Sequence, residues 1–134
     1  MYANEFGKLL HKLSKDFKLH MEEQLTPTLT EGQLNVLELL STREPMKPSD
    51  FIEYLATTPA AVTTLLDRME KNALIVRIRD QKDRRIVWVH VTDTGKSEFA
   101  RGMHIRELLL ANYMNRISSY NQQFLIYLLG KVAN

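Results

Sequence analysis

The strongest constraint on the fold is an abrupt change of period between Thr57 and Val91. In "TTPAAVTTLLDRMEKNA" the apolar residues Val62, Leu65, Leu66 and Met69 recur every three or four positions, which predicts a helix. Thr58 suits its N-cap and Pro59 its first position, where a missing N–H costs nothing. With no linker between, "LIVRIR" and "IVWVHV" follow, alternating with a period of two and joined by the polar tip "DQKD". That pattern predicts a two-stranded hairpin. In its second strand Val87, Val89 and Val91 share one face, and Trp88 and His90 take the other. In its first strand Val76 and Ile78 are expected inward, with Arg77 and Arg79 outward.

More helices flank this unit. Phe6, Leu9, Leu10, Leu13, Phe17 and Met21 predict an amphipathic helix over residues 4–25. After "TPTL", the segment "TEGQLNVLELL" opens with a capping box, Thr30 at the N-cap and Gln33 at N3. Leu29 and Leu34 are spaced as a hydrophobic staple. "STREPMKP" reads as a loop, and "PSDFIEYLA" as a short third helix burying Phe51, Ile52 and Leu55. A long helix opens after Thr92. A last one carries Phe124, Leu125, Leu128, Leu129 and Val132 on one side.

Two short helices joined by a tight turn and followed by a basic hairpin make a winged helix-turn-helix. The expected fold class is mainly α with a small β-hairpin wing (α+β). Its 134 residues fit one domain. Residues 29–96 form the winged lobe, and residues 1–25 and 97–134 are left as flanking helices.

Charge is concentrated on the wing. Arg77, Arg79, Lys82, Arg84 and Arg85 stand against Asp80 and Asp83. This local excess exceeds the net +2 of the whole chain, so the remaining body is slightly negative. A basic patch on a near-neutral body points to a polyanion contact at one place. With no cysteine, disulfides, thiolate metal sites and thiol-based sensing by this chain are excluded. No apolar run approaches a membrane span, and the N-terminus lacks a signal-peptide core, so the expected location is cytoplasmic.

Taken in order, "LTEGQLNVLELL", "TPAAVT", "LLDRMEKNALIVR" and "DQKDRR…VTDTG" resemble the MarR family of bacterial transcription regulators over about residues 29–96. The resemblance implies a DNA-binding regulator, acting as a homodimer through the flanking helices on a palindromic operator. It further implies a repressor relieved by a small aromatic or anionic effector, which nothing in the sequence identifies. There are two departures. Ala73 stands where the family usually has glycine, at a position that often needs a left-handed backbone. Val91 replaces the usual leucine before Thr92.

The DNA chemistry follows from residue types. With its stripe buried, the predicted recognition helix presents Ala60, Thr64, Asp67 and Lys71, flanked by Ala61, Thr63 and Arg68. Small residues admit the helix backbone to base edges. Thr58, Thr63 and Thr64 offer hydroxyls and methyls, and Arg68 a long cationic reader. Lys47 and Ser49 precede or open the third helix as phosphate contacts. Lys82, Arg84 and Arg85 at the hairpin tip suit a narrow minor groove. Arg77 and Arg79 either reach phosphates or stack on Trp88. Asp83 is unexpected on a DNA surface unless it holds a cation, and in the resembling family the Asp-x-Arg of the wing does so, here Asp83 and Arg85.

Other classes find less support. There is no G-x-S-x-G, P-loop, Gly-rich dinucleotide turn or H-E-x-x-H, so no enzyme is expected, and no cofactor. Of the four histidines, His11, His20, His90 and His104, none stands in a recognised ligand spacing; His104 has an acid one turn away, Glu107. No metal site is expected. The competing reading is a winged helix used for protein contact without specific DNA binding.

Overall fold

A computed structural model describes residues 1–134. Six helices and one hairpin follow in the order α1 (Ala3–Leu25), α2 (Glu31–Arg43), α3 (Pro48–Leu55), α4 (Pro59–Lys71), β1 (Ile75–Arg79), β2 (Val87–Val91), α5 (Asp93–Met114) and α6 (Ser119–Ala133). Most helix starts follow the caps read in the sequence. Thr30 Oγ1 accepts from the Gln33 amide at 3.1 Å while Gln33 Oε1 accepts from the Thr30 amide at 3.1 Å. Satisfying two otherwise unpaired amides this way stabilises a helix start by about 1 kcal/mol. Thr58 Oγ1 accepts from the Ala61 amide at 3.2 Å, with Pro59 at N1.

The core lies where α1, α2, α4 and the hairpin converge. Met21, Leu25, Leu29, Leu34, Leu37, Leu40, Phe51, Leu66, Met69, Leu74, Ile75 and Val89 are all but inaccessible to solvent. Both staple residues, Leu29 and Leu34, are among them. The loop before α3 reaches the wing. Met46 and Val89 exchange backbone hydrogen bonds of 3.4 and 2.7 Å, so a one-residue bridge extends the hairpin. This bridge fixes the wing to the helix-turn-helix independently of side chains.

Thr92 ties the wing to α5. Its hydroxyl accepts from the Gly95 amide at 2.9 Å, capping α5, and donates to the Ala73 carbonyl at 2.6 Å. A Cβ on Gly95 would lie 2.1 Å from the Leu74 carbonyl oxygen, so only glycine lets the helix start this close to β1. Ala73 itself has φ 61°, the left-handed conformation expected at that position. Arg101 of α5 then closes the C-terminus of α1, donating to the Leu25 carbonyl at 2.9 Å and to Thr28 Oγ1 at 2.7 Å.

The two ends of the chain are different. Met21 and Leu25 anchor α1, but Phe6, Leu9, Leu10 and Leu13 are about half exposed. On α6 no residue is buried, and Phe124, Ile126, Leu128, Leu129 and Val132 face solvent. No helix is long and apolar enough to cross a membrane.

The strand faces of the wing require a correction. Register pairs Ile75 with Val91, Arg77 with Val89 and Arg79 with Val87, and residues directly opposite share a face. Val89 is fully buried, so Arg77 lies on the inward side, and Val76 and Ile78 lie on the open side with His90 and Trp88. The expected orientation of β1 was therefore reversed. The second strand kept its valine face.

Candidate nucleic-acid interface

The exposed face of α4 carries Ala60, Ala61, Thr63, Thr64, Arg68 and Lys71, all open to solvent. A shallow groove brings Ala60, Ala61, Thr64 and Arg68 together with Thr30 and Gln33 from the start of α2. The α2 contribution was not anticipated, because a capping box reads as structural in sequence. Thr63 and Thr64 are not equivalent. The Thr63 hydroxyl donates to the Pro59 carbonyl at 3.0 Å, which leaves it a lone pair and a methyl to present. No such bond engages Thr64. The Thr58 hydroxyl accepts at the N-cap and keeps its proton free. At the start of α3, the N-cap residue Lys47 is half-buried and Ser49, in the first turn, is exposed. The Lys47 amide donates to Asp50 Oδ2 at 2.9 Å, which holds this turn.

The wing tip is organised by its two acids, in different ways. Asp80 Oδ2 accepts from the Lys82 and Asp83 amides at 3.0 and 2.9 Å, while its Oδ1 accepts from Trp88 Nε1 at 3.1 Å. Asp80 thus folds the tip and ties it to the second strand. The Asp83 and Lys82 amides and the indole N–H hold its carboxyl below the usual range. Asp83 faces Arg85. Arg85 Nε and Nη2 reach Asp83 Oδ1 and Oδ2, each at 3.0 Å, and the Arg85 amide adds a bond to Oδ1 at 3.1 Å. These bonds from Arg85 lower the Asp83 carboxyl and raise the guanidinium. A fork held side-on is fixed in direction while its far edge stays free. The Arg85 side chain is 91% exposed. Lys82 and Arg84 are exposed beside it.

Two of the expected contact cations are engaged within the protein. Arg79 Nη1 donates to the Arg84 carbonyl at 2.7 Å, bracing the tip. Arg77, only 25% exposed, binds two acids of α4, with Nη2 2.6 Å from Asp67 Oδ1 and 3.1 Å from Glu70 Oε1. Its Nε and its own amide both donate to Glu70 Oε2 at 3.3 Å. Arg77 lowers the Glu70 carboxyl and is itself raised, chiefly by Glu70 and then by Asp67. Neither arginine stacks on Trp88, which lies on the opposite face of the hairpin across from Ile78. The indole instead donates to Asp80.

A helix with small residues in its first turns, beside a cationic wing braced by carboxylates, defines a winged-helix DNA-binding fold. Comparison with known proteins gives the family. The MarR family profile matches residues 29–87. The chain is 33% identical over 133 residues to the uncharacterized HTH-type transcriptional regulator YkoM of Bacillus subtilis, spanning 99% of this chain and 82% of the relative. It is 30% identical over 125 residues to the HTH-type transcriptional repressor MdtR of the same organism, spanning 93% and 79%. Among solved structures, the YusO protein from Bacillus subtilis superposes with a TM-score of 0.82 at 27% identity, over 97% of this chain and 93% of that one. A mutant MarR from E. coli complexed with operator DNA shares the fold, with a TM-score of 0.78 at 23% identity over 97% and 94%. The protein belongs to the MarR family of transcriptional regulators.

Proposed function

We propose that this protein is a repressor that binds a palindromic operator as a homodimer and is released by a small aromatic or anionic effector. In this reading residues 29–96 read DNA, residues 1–25 and 97–134 dimerise, and the protein works in the cytoplasm. The α4 face enters the major groove, where Ala60 and Ala61 admit the backbone to base edges. Thr64 and Arg68 read bases, and Thr58, Thr63 and Lys71 flank them. Lys47 and Ser49 meet the neighbouring phosphates, and Lys82, Arg84 and Arg85 meet the minor groove.

The observation that carries DNA reading is the side-on Asp83–Arg85 pair at an exposed tip, since a carboxylate there serves little except to aim its arginine. Dimerisation is supported by the apolar faces of α1 and α6, which this chain does not cover itself. A repressor role is supported by the name of the relative MdtR. The effector follows from family membership alone.

Selection of bound sequences from random duplex DNA tests binding, palindromy and spacing together. The expected outcome is two inverted half-sites about one helical turn apart, centre to centre. Enrichment of no sequence would favour a winged helix used for protein contact.

A further inference from the structure

Arg77 looks from sequence like one more phosphate contact, yet its surroundings assign it otherwise. Its guanidinium spans Asp67 and Glu70, one turn apart on the exposed side of α4, and its backbone amide is held by the same Glu70. Four bonds therefore join the first wing strand to the helix that precedes it. Its side chain is 25% exposed against 91% for Arg85, so few donors remain for a ligand. The two acids lie on a helix whose other exposed residues suit DNA. Unpaired, they would repel the backbone phosphates.

We propose that Arg77 is a positioning residue for DNA reading. It sets the angle between α4 and the wing, and it withdraws the charges of Asp67 and Glu70 from the DNA-facing surface. The inference rests on the DNA-binding reading above. It adds that one cation of the basic run acts through the protein rather than on the nucleic acid. A specific site needs α4 and the wing engaged together, so the clamp should matter more for an operator than for random DNA.

The test compares wild type with Arg77→Met, the pair Asp67→Asn with Glu70→Gln, all three changes combined, Arg77→Glu alone, and the swap of Arg77→Glu with Glu70→Arg. Each is titrated with the selected operator and with random duplex at two salt concentrations, after circular dichroism has verified the fold. Amide exchange at Arg77 is followed without DNA. Neutralising the two acids adds positive charge, so simple electrostatics predicts tighter binding. The clamp predicts about tenfold weaker operator binding, random-duplex affinity unchanged or higher, and faster exchange at Arg77. The swap should recover most of the operator preference lost in Arg77→Glu. Tighter operator binding by the acid-neutralised pair would overturn the proposal. So would a salt slope lowered by about one counterion whenever Arg77→Met is introduced, with or without the acids, since that marks a direct phosphate contact. If wild type binds no duplex, the DNA reading fails. Faster exchange on neutralising the acids then still upholds the clamp between α4 and β1, and unchanged exchange removes it.

Discussion

Asp83 holds the guanidinium of Arg85 through both of its oxygens, each 3.0 Å from a guanidinium nitrogen, at the most exposed part of the wing. The Arg85 amide donates to the same carboxylate at 3.1 Å, and Asp80 closes the turn that leads into the pair by accepting from the Lys82 and Asp83 amides. The direction of Arg85 is therefore set before any ligand arrives. Such preorganisation lowers the entropy lost when the side chain is fixed in a groove.

Arg85→Ala should weaken operator binding roughly ten- to a hundredfold and reduce the salt slope by about one counterion. Asp83→Ala should also weaken it, although it adds positive charge. The double variant should lose less than the sum of the singles, because Asp83 acts only through Arg85. Titration of labelled operator with the three variants measures this. Tighter binding by Asp83→Ala would reduce the acid to an ordinary turn residue.

Ala73→Gly should stabilise the fold. A left-handed alanine costs about 1–2 kcal/mol, and the extra freedom of glycine when unfolded returns part of that. A net gain of about 0.5–1 kcal/mol is expected, read as a higher urea midpoint with an unchanged slope. An unchanged or lower midpoint would mean that the neighbouring wing entry compensates the strain.

Gly95→Ala should do the reverse. In an exposed helix this change usually helps. Here the new Cβ would lie 2.1 Å from the Leu74 carbonyl oxygen and 2.7 Å from a methyl of Val91, so β1 or α5 must move. A loss of at least about 2 kcal/mol is expected from chemical denaturation. A stabilised variant would show that the contact between α5 and the wing is looser than described.

In dilute buffer the protein should sediment at twice its chain mass of 15.6 kDa. Phe6→Glu combined with Phe124→Glu should shift it toward monomer while leaving the winged lobe folded, since both rings are half exposed within one chain. A wild-type monomer at micromolar concentration would remove the dimer from the account.

Much of this architecture was legible in the sequence because it rests on local chemistry. The capping box of Thr30 and Gln33, and Pro59 behind Thr58, mark helix starts that need no tertiary context. The change of period at residue 74 marks the wing. The first strand was misread because "LIVRIR" has apolar residues at both parities. Its cations made the outward face seem obvious, and the deciding partners, Asp67 and Glu70, lie on another element. Their three-residue spacing on the exposed side of α4, shortly before a strand containing an arginine, was the available signal. In the sequence Asp80 stood only as one of two acids among the wing cations. Its bonds to two amides and the Trp88 indole depend on how the turn closes, which spacing alone does not give.

The central claim, that this fold reads DNA through a cationic surface, is tested most directly by the salt dependence of binding to the selected duplex. Contacts with six or more phosphates predict an affinity that falls on the order of a thousandfold between about 50 and about 200 mM salt. Random duplex should fall with a similar slope from a weaker start. Binding that changes little over this range, or that is equal for selected and random duplex at every salt concentration, would contradict the account.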